Sequence, residues 1–183
     1  LVGHGISYCA LCDGSFFKDQ DVTVVGGGNS AFDDALLLSE RCHHVTLIHR
    51  RSSFRAEQIL VDRVKQRKNI SLLTDTTVSE LIQENGQLTG LKLKSKSGKD
   101  ETLPVSGLFV SIGRQPDTEL LTGLAALDEN GYVISDEEMA VSETPGVFVA
   151  GDCRIKRVCQ LTTAVSDGAV AAVSACTYLK KQK

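Results

Sequence analysis

The sequence lacks a strong charge of either sign and lacks any long apolar run. Its 183 residues carry a formal net charge of −3, so nothing indicates general affinity for nucleic acid or for an anionic membrane. The longest apolar runs, LFVSIG and VFVAG, have the length of strands and are too short to span a bilayer. No amino-terminal signal peptide is visible. We therefore expect a protein that binds neither nucleic acid nor membrane.

Cysteines at metal-ligand spacing are also scarce. Of the six cysteines, only Cys9 and Cys12 are separated by two residues. A structural zinc site is the alternative to a redox role for this pair, but it needs two further ligands and the sequence has no second CxxC. Cys153 and Cys159 are six positions apart, which is a poor spacing for a zinc knuckle. We predict no metal, and we expect a reducing, cytoplasmic location because the remaining cysteines are single thiols.

What the sequence does contain first is an alternation of strands and helices. Short apolar runs and helical periodicity follow one another along the first 73 residues. They predict strand 22–25, helix 29–40, strand 45–48, helix 56–66 and strand 70–73. This order indicates a doubly wound α/β unit of the Rossmann-like FAD/NAD(P)-binding fold.

The pattern then changes to short-period alternation. Segments 77–82 and 88–94, joined by Asn85-Gly86, predict an antiparallel hairpin, and the polar segment 94–102 predicts a further hairpin tip. Segment 108–112 returns to the parallel-strand type. We therefore expect an α/β fold with a parallel sheet and a β-meander, in three ββα layers.

A breaker-rich segment, Gly113-Arg114-Gln115-Pro116, indicates a domain boundary. It divides the chain into domains 1–113 and 114–183. In the second domain we expect a strand at 147–150, a turn at Gly151-Asp152 and a helix over 162–179, rich in small residues.

The stretch YCALCDG holds Cys9 and Cys12. Two thiols at this spacing can close a small disulfide ring, and thiol–disulfide exchange can open it again, so the pair can carry two electrons. The four other cysteines lack a partner at this spacing. We predict a reversible disulfide between Cys9 and Cys12, in which Cys42 and Cys176 take no part.

A glycine-rich turn follows the first predicted strand, in VVGGGNSA. Gly26, Gly28 and Ala31 fit the GxGxxG/A pattern, in which the glycines permit a tight turn and a close approach to a pyrophosphate. The helix start at Asn29 and Ser30 offers unpaired N–H groups to the same anion. A glycine turn that binds nothing is the alternative, but the strand–turn–helix context favours a dinucleotide site.

The end of the second strand lacks the carboxylate that would bind the ribose 2′-hydroxyl of NAD. His49, Arg50 and Arg51 stand there instead, with Arg55 four residues on. Guanidinium groups are suited to a 2′-phosphate, so the sequence predicts NADPH rather than NADH. A solvated basic surface is the alternative, and the position relative to the glycines argues against it.

The motifs YCALCDG, VVGGGNSA, HRRSSFRA and GVFVAGDCR, in this order, resemble those of the low-molecular-weight thioredoxin reductases over essentially the whole chain. The resemblance implies a homodimeric flavoprotein in which NADPH reduces FAD, FAD reduces a protein disulfide, and the dithiol reduces thioredoxin or a related disulfide protein. It implies that Cys12 lies nearer the flavin, that Cys9 attacks the thioredoxin disulfide and that Asp13 exchanges the thiol proton.

The same resemblance implies FAD contacts in the second domain. Gly151 and Asp152 resemble the second FAD motif, and Gln160 with the helix from about Thr162 would approach the flavin ring. Cys159 departs from the family, which commonly has arginine there, so no arginine role is carried over. The family also has a separate FAD-binding GxGxxG upstream, and this sequence has only the motif at 26–31.

We therefore expect 1–113 to be an NADPH-binding domain with the redox CxxC, and 114–183 to be the carboxyl-terminal portion of an FAD-binding domain. We expect these 183 residues to be a partial protein that is inactive alone. Three alternatives remain: a flavoprotein that reduces a peroxiredoxin, a ferredoxin-dependent relative, and a non-enzymatic NADPH-binding module. The ferredoxin-dependent relative is disfavoured, because such an enzyme would not need the NADPH-binding signature.

Overall fold

A computed structural model describes residues 1–98 and 100–182. The chain divides into two compact units, Leu1–Gly113 and Arg114–Lys183. The strands are β1 Ile6–Ser7, β2 Asp21–Gly26, β3 His44–Ile48, β4 Ile70–Leu73, β5 Thr76–Glu84, β6 Gln87–Ser95, β7 Asp100–Pro104 and β8 Gly107–Ser111. The α-helices are α1 Ala10–Asp13, α2 Asn29–Ser39, α3 Gln58–Lys65 and α4 Leu161–Lys181.

The first unit is built on a five-stranded sheet in the order β1-β8-β2-β3-β4. All of its strand pairs are parallel. The predicted apolar strands are confirmed, and β4 has the predicted limits. β8 lies between β1 and β2 although eighty residues separate β8 from β2 along the chain. The carboxyl ends of β2, β3 and β8 are therefore neighbours at one edge, where open α/β sheets bind ligands.

The predicted β-meander is confirmed as a three-stranded antiparallel sheet in the order β5-β6-β7. Asn85 and Gly86 both have positive φ, 51° and 78°, which a tight hairpin turn requires and which asparagine and glycine tolerate best. The predicted hairpin tip at 94–102 is too long: residues 94–95 end β6 and residues 100–102 begin β7, while Lys99 lies outside the described residues.

Two apolar cores bind three layers together, as the predicted ββα arrangement requires. One face of the parallel sheet packs on α2 and α3 through residues such as Val24, Phe32 and Val64, each with no measurable exposure. The other face packs on the meander through Ile48, Leu91 and their neighbours. Strands buried on both faces explain why β2 and β3 are almost continuously apolar.

Two further sequence expectations need correction. No strand forms at 147–150 in the described structure: Phe148 makes a single bridge to Ala140. Gly146 and Gly151 have positive φ, so the backbone turns at both ends of this segment and the extended conformation is not continued on either side. Helix α3 begins at Gln58 rather than at 56, because the ψ of Glu57 is 140°, which is not helical, and the Ala56 N–H bonds back to the Gly27 carbonyl at 3.2 Å.

The second unit has little regular structure besides α4, whose limits agree with the predicted helix within two residues. Its core is small and consists of Ala125, Val133, Val141 and Val149. In the part of the chain that is described, no helix combines the length and the apolar character needed to cross a membrane.

Candidate redox and dinucleotide sites

Cys9 and Cys12 form a disulfide with a Cα–Cα distance of 5.3 Å. Cys9 precedes the single-turn helix α1, and its Sγ accepts a hydrogen bond from the Cys12 N–H at 3.1 Å. The Asp13 N–H bonds to the Cys9 carbonyl at 3.0 Å. Cys12 is exposed and Cys9 is half-buried. The ring is therefore held by backbone bonds and is open to a reaction partner.

Ser7, a residue that sequence reasoning missed, joins this ring to its carboxylate. The Ser7 Oγ donates to Asp13 Oδ2 at 2.6 Å and accepts from the Cys9 N–H at 3.0 Å. A small hydroxyl residue two positions before the first cysteine was the available signal. Its significance depends on the turn that brings Asp13 back to β1, which the spacing does not reveal.

The remaining cysteines are free thiols: Cys42, Cys153, Cys159 and Cys176. Burial raises the pKa of Cys42 to about 11, against a smaller lowering by the Arg41 charge, and Asp19 raises it further. Cys42 is therefore an inert core thiol at neutral pH.

The glycine turn joins β2 to α2. A Cβ on Gly26 would overlap the Ser111 carbonyl oxygen and would lie 2.6 Å from the Ala31 Cβ, so both positions need small residues for β2, β8 and α2 to pack. A Cβ on Gly28 would meet no atom within 4 Å. The space in front of the α2 amino terminus is thus open at the residue whose backbone is expected to approach an anion.

The segment after β3 folds over this turn. The Arg55 N–H bonds to the Gly27 carbonyl at 2.8 Å. Asn29 Nδ2 donates to Glu57 Oε1 and Asn29 Oδ1 accepts from the Glu57 N–H, both at 2.8 Å. The Asn29 side chain therefore fastens the segment to the helix start, while Ser30 beside it is exposed.

Three exposed arginines, Arg50, Arg51 and Arg55, lie in the segment that follows β3. Within residues 1–98 and 100–182, none of them forms an ion pair with a carboxylate. His49 differs from them because it is 8% exposed, its Nε2 lies 3.1 Å from the Ser53 carbonyl oxygen and its ring packs on Phe54. The structure thus gives His49 contacts within the loop and leaves the guanidinium groups available.

His49, Arg50 and Arg55, with Gly26 of the turn, line a cavity of about 380 Å³ at the carboxyl edge of the sheet, whereas Arg51 lies outside its lining. Sequence reasoning found Gly26, His49, Arg50 and Arg55 but missed lining residues from other strands. The missed residues include Thr76, Thr77, Ser111 and Ile112. The strand ending near Ile112 was predicted, but its position beside β2 was not available from a local pattern.

The second unit places Asp152 beside Arg114, with 3.8 Å between carboxylate and guanidinium. Both side chains are about half exposed and line a cavity of about 300 Å³ together with Cys153 and Cys159. Gln160 and Thr163 form a capping box at the start of α4, next to the exposed Thr162. The structure therefore groups Asp152 and Cys159 in one cavity and uses Gln160 as a helix cap.

A buried ion cluster fastens the Gly151–Asp152 turn to α4. Asp167 Oδ2 accepts from the Gly151 N–H at 3.1 Å and from Lys156 Nζ at 2.7 Å, and Arg154 lies 3.5 Å away. Burial raises the pKa of Asp167, but the Lys156 and Gly151 hydrogen bonds and the two cationic charges outweigh it and hold the pKa below its ordinary value. Sequence reasoning missed this cluster.

Among residues 1–98 and 100–182, no group of three or more His, Cys, Asp or Glu side chains could hold a metal ion. The first unit therefore contains two candidate sites. One is a disulfide with a neighbouring carboxylate, and the other is a glycine turn next to exposed arginine side chains.

Comparison with known proteins gives consistent relatives. The chain is 40% identical over 184 residues to a thioredoxin reductase of Listeria monocytogenes, a match that covers 100% of this chain and 57% of that protein. It is 42% identical over 182 residues to a thioredoxin reductase of Rickettsia typhi, covering 98% of this chain and 59% of the relative. The chain thus spans less than two thirds of the length of these relatives.

A solved structure and a family model agree with these relatives. The thioredoxin reductase of Streptococcus pyogenes superposes with a TM-score of 0.92 at 38% identity, over 97% of this chain and 58% of that one. Residues 1–168 match the family described as pyridine nucleotide-disulphide oxidoreductase. The chain belongs to the pyridine nucleotide-disulphide oxidoreductase family.

Proposed function

We propose that this chain carries the NADPH-binding and dithiol parts of a flavin-dependent reductase that transfers electrons from NADPH to the disulfide of thioredoxin or of a related protein. One observation carries the proposal: a single compact unit holds both the Cys9–Cys12 disulfide with its neighbouring carboxylate and a glycine turn beside arginines that have no carboxylate partner in the described part of the chain. The names of the relatives support the choice of thioredoxin.

The residues of the first unit fit NADPH. The open space at Gly28 and the N–H groups at the start of α2, around Ser30, would receive the pyrophosphate. Arg50, Arg51 and Arg55 would bind the 2′-phosphate, because each presents a guanidinium with no carboxylate partner among the described residues. When bound, the nicotinamide supplies a hydride.

The second unit, 114–183, is proposed to be the carboxyl-terminal portion of an FAD-binding domain in a cytoplasmic homodimer. Its open cavity at Asp152 would receive the ribityl part of FAD, with Gly151 shaping the turn and with Gln160 and Thr162 near the ring. When bound, the flavin converts a hydride into two electrons for sulfur. The residues of this chain would bind and orient it.

The cysteine pair would then exchange electrons with a partner protein. Two electrons and two protons convert the Cys9–Cys12 disulfide into two thiols. The Cys9 thiolate attacks the partner's disulfide, forms a mixed disulfide and releases one partner thiolate; Cys12 then attacks the Cys9 sulfur and releases the second. Asp13, hydrogen-bonded close to Cys9 through Ser7, would take and return the thiol proton.

A trapping experiment tests this function. Cys12→Ser removes the thiol that resolves the mixed disulfide, so the variant should accumulate a covalent complex with thioredoxin whose active-site cysteine has been activated by an aryl disulfide. Mass spectrometry should locate the bond at Cys9. Cys9→Ser and Cys42→Ser, made in the same Cys12→Ser background, are the matched controls. Equal trapping without Cys9 would contradict the proposal.

A further inference from the structure

We propose that Ser7 is a positioning residue for the redox pair, and that its hydroxyl holds the Asp13 carboxylate against the Cys9–Cys12 ring. The inference rests on the proposed function, because it takes Asp13 as the group that exchanges protons with the thiols. It adds a residue that lies outside the CxxC motif and on a different element from it.

Ser7 is fixed by the sheet rather than by the redox ring. It ends β1, which pairs in parallel with β8, and Ser7 lies opposite Phe109 in the register. Ser7 is 3% exposed and Phe109 is 1% exposed. A side chain on a buried strand end has little freedom to move, so its hydroxyl is a fixed reference point beside a half-exposed turn of helix.

The hydroxyl has one proton to donate, and distance selects the acceptor. Asp13 Oδ2 lies at 2.6 Å, whereas the Cys9 carbonyl oxygen lies at 3.3 Å. The bond to the carboxylate is therefore the stronger one, and it is assisted by the negative charge. The oxygen of the same hydroxyl accepts from the Cys9 N–H at 3.0 Å.

Ser7 thus links Cys9, at one end of the ring, to Asp13, which follows Cys12 at the other end. Asp13 ends the half-exposed single-turn helix α1, and without this bond its side chain could turn toward solvent. Proton exchange requires the carboxylate to stay within hydrogen-bond reach of sulfur or of one bridging water. The Ser7 bond keeps the carboxylate on the Cys9 side of the turn.

The test measures how fast the reduced pair re-forms its disulfide. Dithiothreitol first reduces the chain and is then removed. Ellman's reagent, an aryl disulfide, next oxidises the pair. Two thiols and one aryl disulfide give one protein disulfide, two coloured aryl thiolates and two protons. The parent chain carries serine at positions 153, 159 and 176, which leaves the buried Cys42 and the pair. Stopped-flow absorbance gives the rate.

We expect Ser7→Ala to slow the reaction at least about threefold, and Ser7→Thr, which keeps the hydroxyl, to stay within about twofold of the parent. Ser15→Ala, the same change at an exposed position nearby, should leave the rate unchanged. In an Asp13→Asn background, which keeps the shape but exchanges no proton, Ser7→Ala should add less than about a twofold effect.

Each outcome decides a different point. If Ser7→Ala slows the reaction equally in the parent and in the Asp13→Asn background, the role of Ser7 is merely structural and the inference is overturned. A normal rate for Ser7→Ala together with a slow rate for Asp13→Asn would overturn it as well. A normal rate for Asp13→Asn itself would refute the proton role of Asp13 in the proposed function and the inference with it. If thermal melting shows that Ser7→Ala unfolds, the same comparison is made between Ser7→Thr and Ser7→Val, because valine has the shape of threonine without its hydroxyl.

Discussion

At the scale of single residues, the arginines that follow β3 are the groups on which cofactor preference should depend. Arg50 and Arg51 are exposed and lack a carboxylate partner within the described part of the chain. A hydrogen bond to a charged group contributes about 1.5–3 kcal/mol, so loss of the 2′-phosphate should weaken binding about tenfold or more.

Calorimetric titration with NADPH and with NADH measures this preference. Arg50→Ala with Arg51→Ala should bring the two affinities together mainly by weakening NADPH. Arg41→Ala, which removes a guanidinium from the other end of the sheet, should keep the preference. Equal affinities of the unmodified chain for both cofactors would contradict the assignment.

A second residue-scale prediction concerns Cys42. With a pKa of about 11 against an ordinary 9.0, it holds about a hundredfold less thiolate at pH 8 than an ordinary thiol. Iodoacetamide should therefore label the exposed Cys176 long before Cys42 in the folded chain. Peptide mass spectrometry at successive times of labelling checks this order. The control is the urea-unfolded chain, in which both cysteines should be labelled at the same rate. A disulfide to Cys42 under oxidising conditions would also disagree with its inert role.

At the scale of elements, the β2–turn–α2 unit separates two uses of glycine. Gly26→Ala should destabilise the fold, because the new methyl group would overlap the β8 backbone and crowd Ala31. Gly28→Ala should fold normally, because its methyl group enters open space, but it should weaken NADPH binding there. Urea unfolding and NADPH titration on both variants test this difference. Normal NADPH binding by Gly28→Ala would contradict the prediction.

The Asp167 cluster is the second element-scale case, because it joins the Gly151 turn to α4. Asp167→Asn would leave two largely buried cations, Lys156 and Arg154, without their anion, and breaking such a pair costs about 3–5 kcal/mol. We therefore expect a large drop in the stability of the second unit at pH 7. The half-exposed Asp152→Asn is the matched control, with little expected change.

The pH dependence of this cluster has a definite sign. The pKa of Asp167 is lowered in the folded chain, so its contribution to stability is present above the ordinary aspartate pKa and is lost as pH falls through the lower folded value. The stability difference between the original chain and Asp167→Asn should therefore shrink in acid. Urea unfolding followed by circular dichroism at pH 7 and pH 3 measures it. A difference that stays constant would argue against the ion pairs.

At the scale of the whole molecule, we expect these 183 residues to lack sustained NADPH-to-disulfide turnover by themselves. The sequence has a single glycine-rich strand–turn–helix, so the FAD pyrophosphate has no second site of that kind. The long helix α4 leaves apolar side chains in the open, with Leu161 81% and Val173 68% exposed, which favours association. An assay with NADPH and thioredoxin, with and without added FAD, decides the matter; rapid turnover by this polypeptide would refute the expectation.

Much of the fold was predictable from the sequence because its signals are local. Apolar runs and the Asn85-Gly86 turn report burial and backbone conformation within a few residues, so β2, β3, β4, α2 and the first hairpin of the meander were found nearly at their observed limits. The failed strand at 147–150 shows the limit of this signal. Its apolar residues are partly or fully buried, but a strand also needs a neighbouring ladder, and here only one bridge forms.

The candidate sites divide in the same way. CxxC spacing, the glycine turn and the absence of an acidic residue after β3 are properties of short segments, and they predicted Cys9, Cys12, Gly26, Gly28 and the arginines. The contacts of Ser7 with Asp13 and of Asp167 with Lys156 depend on where the chain turns back. A hydrogen bond of this kind leaves no periodic trace in the sequence.

The sequence by itself therefore determined the candidate residues of the sites: the thiol pair, the small residues of the turn and the cations that follow the second strand. Only the tertiary structure decided how they are arranged. The parallel sheet inserts β8 between β1 and β2, which places Ser111 beside Gly26 and fixes Ser7 at a buried strand end. The physical reason is that backbone conformation and burial pattern are set over a few residues, whereas strand order is set by packing between residues about a hundred positions apart.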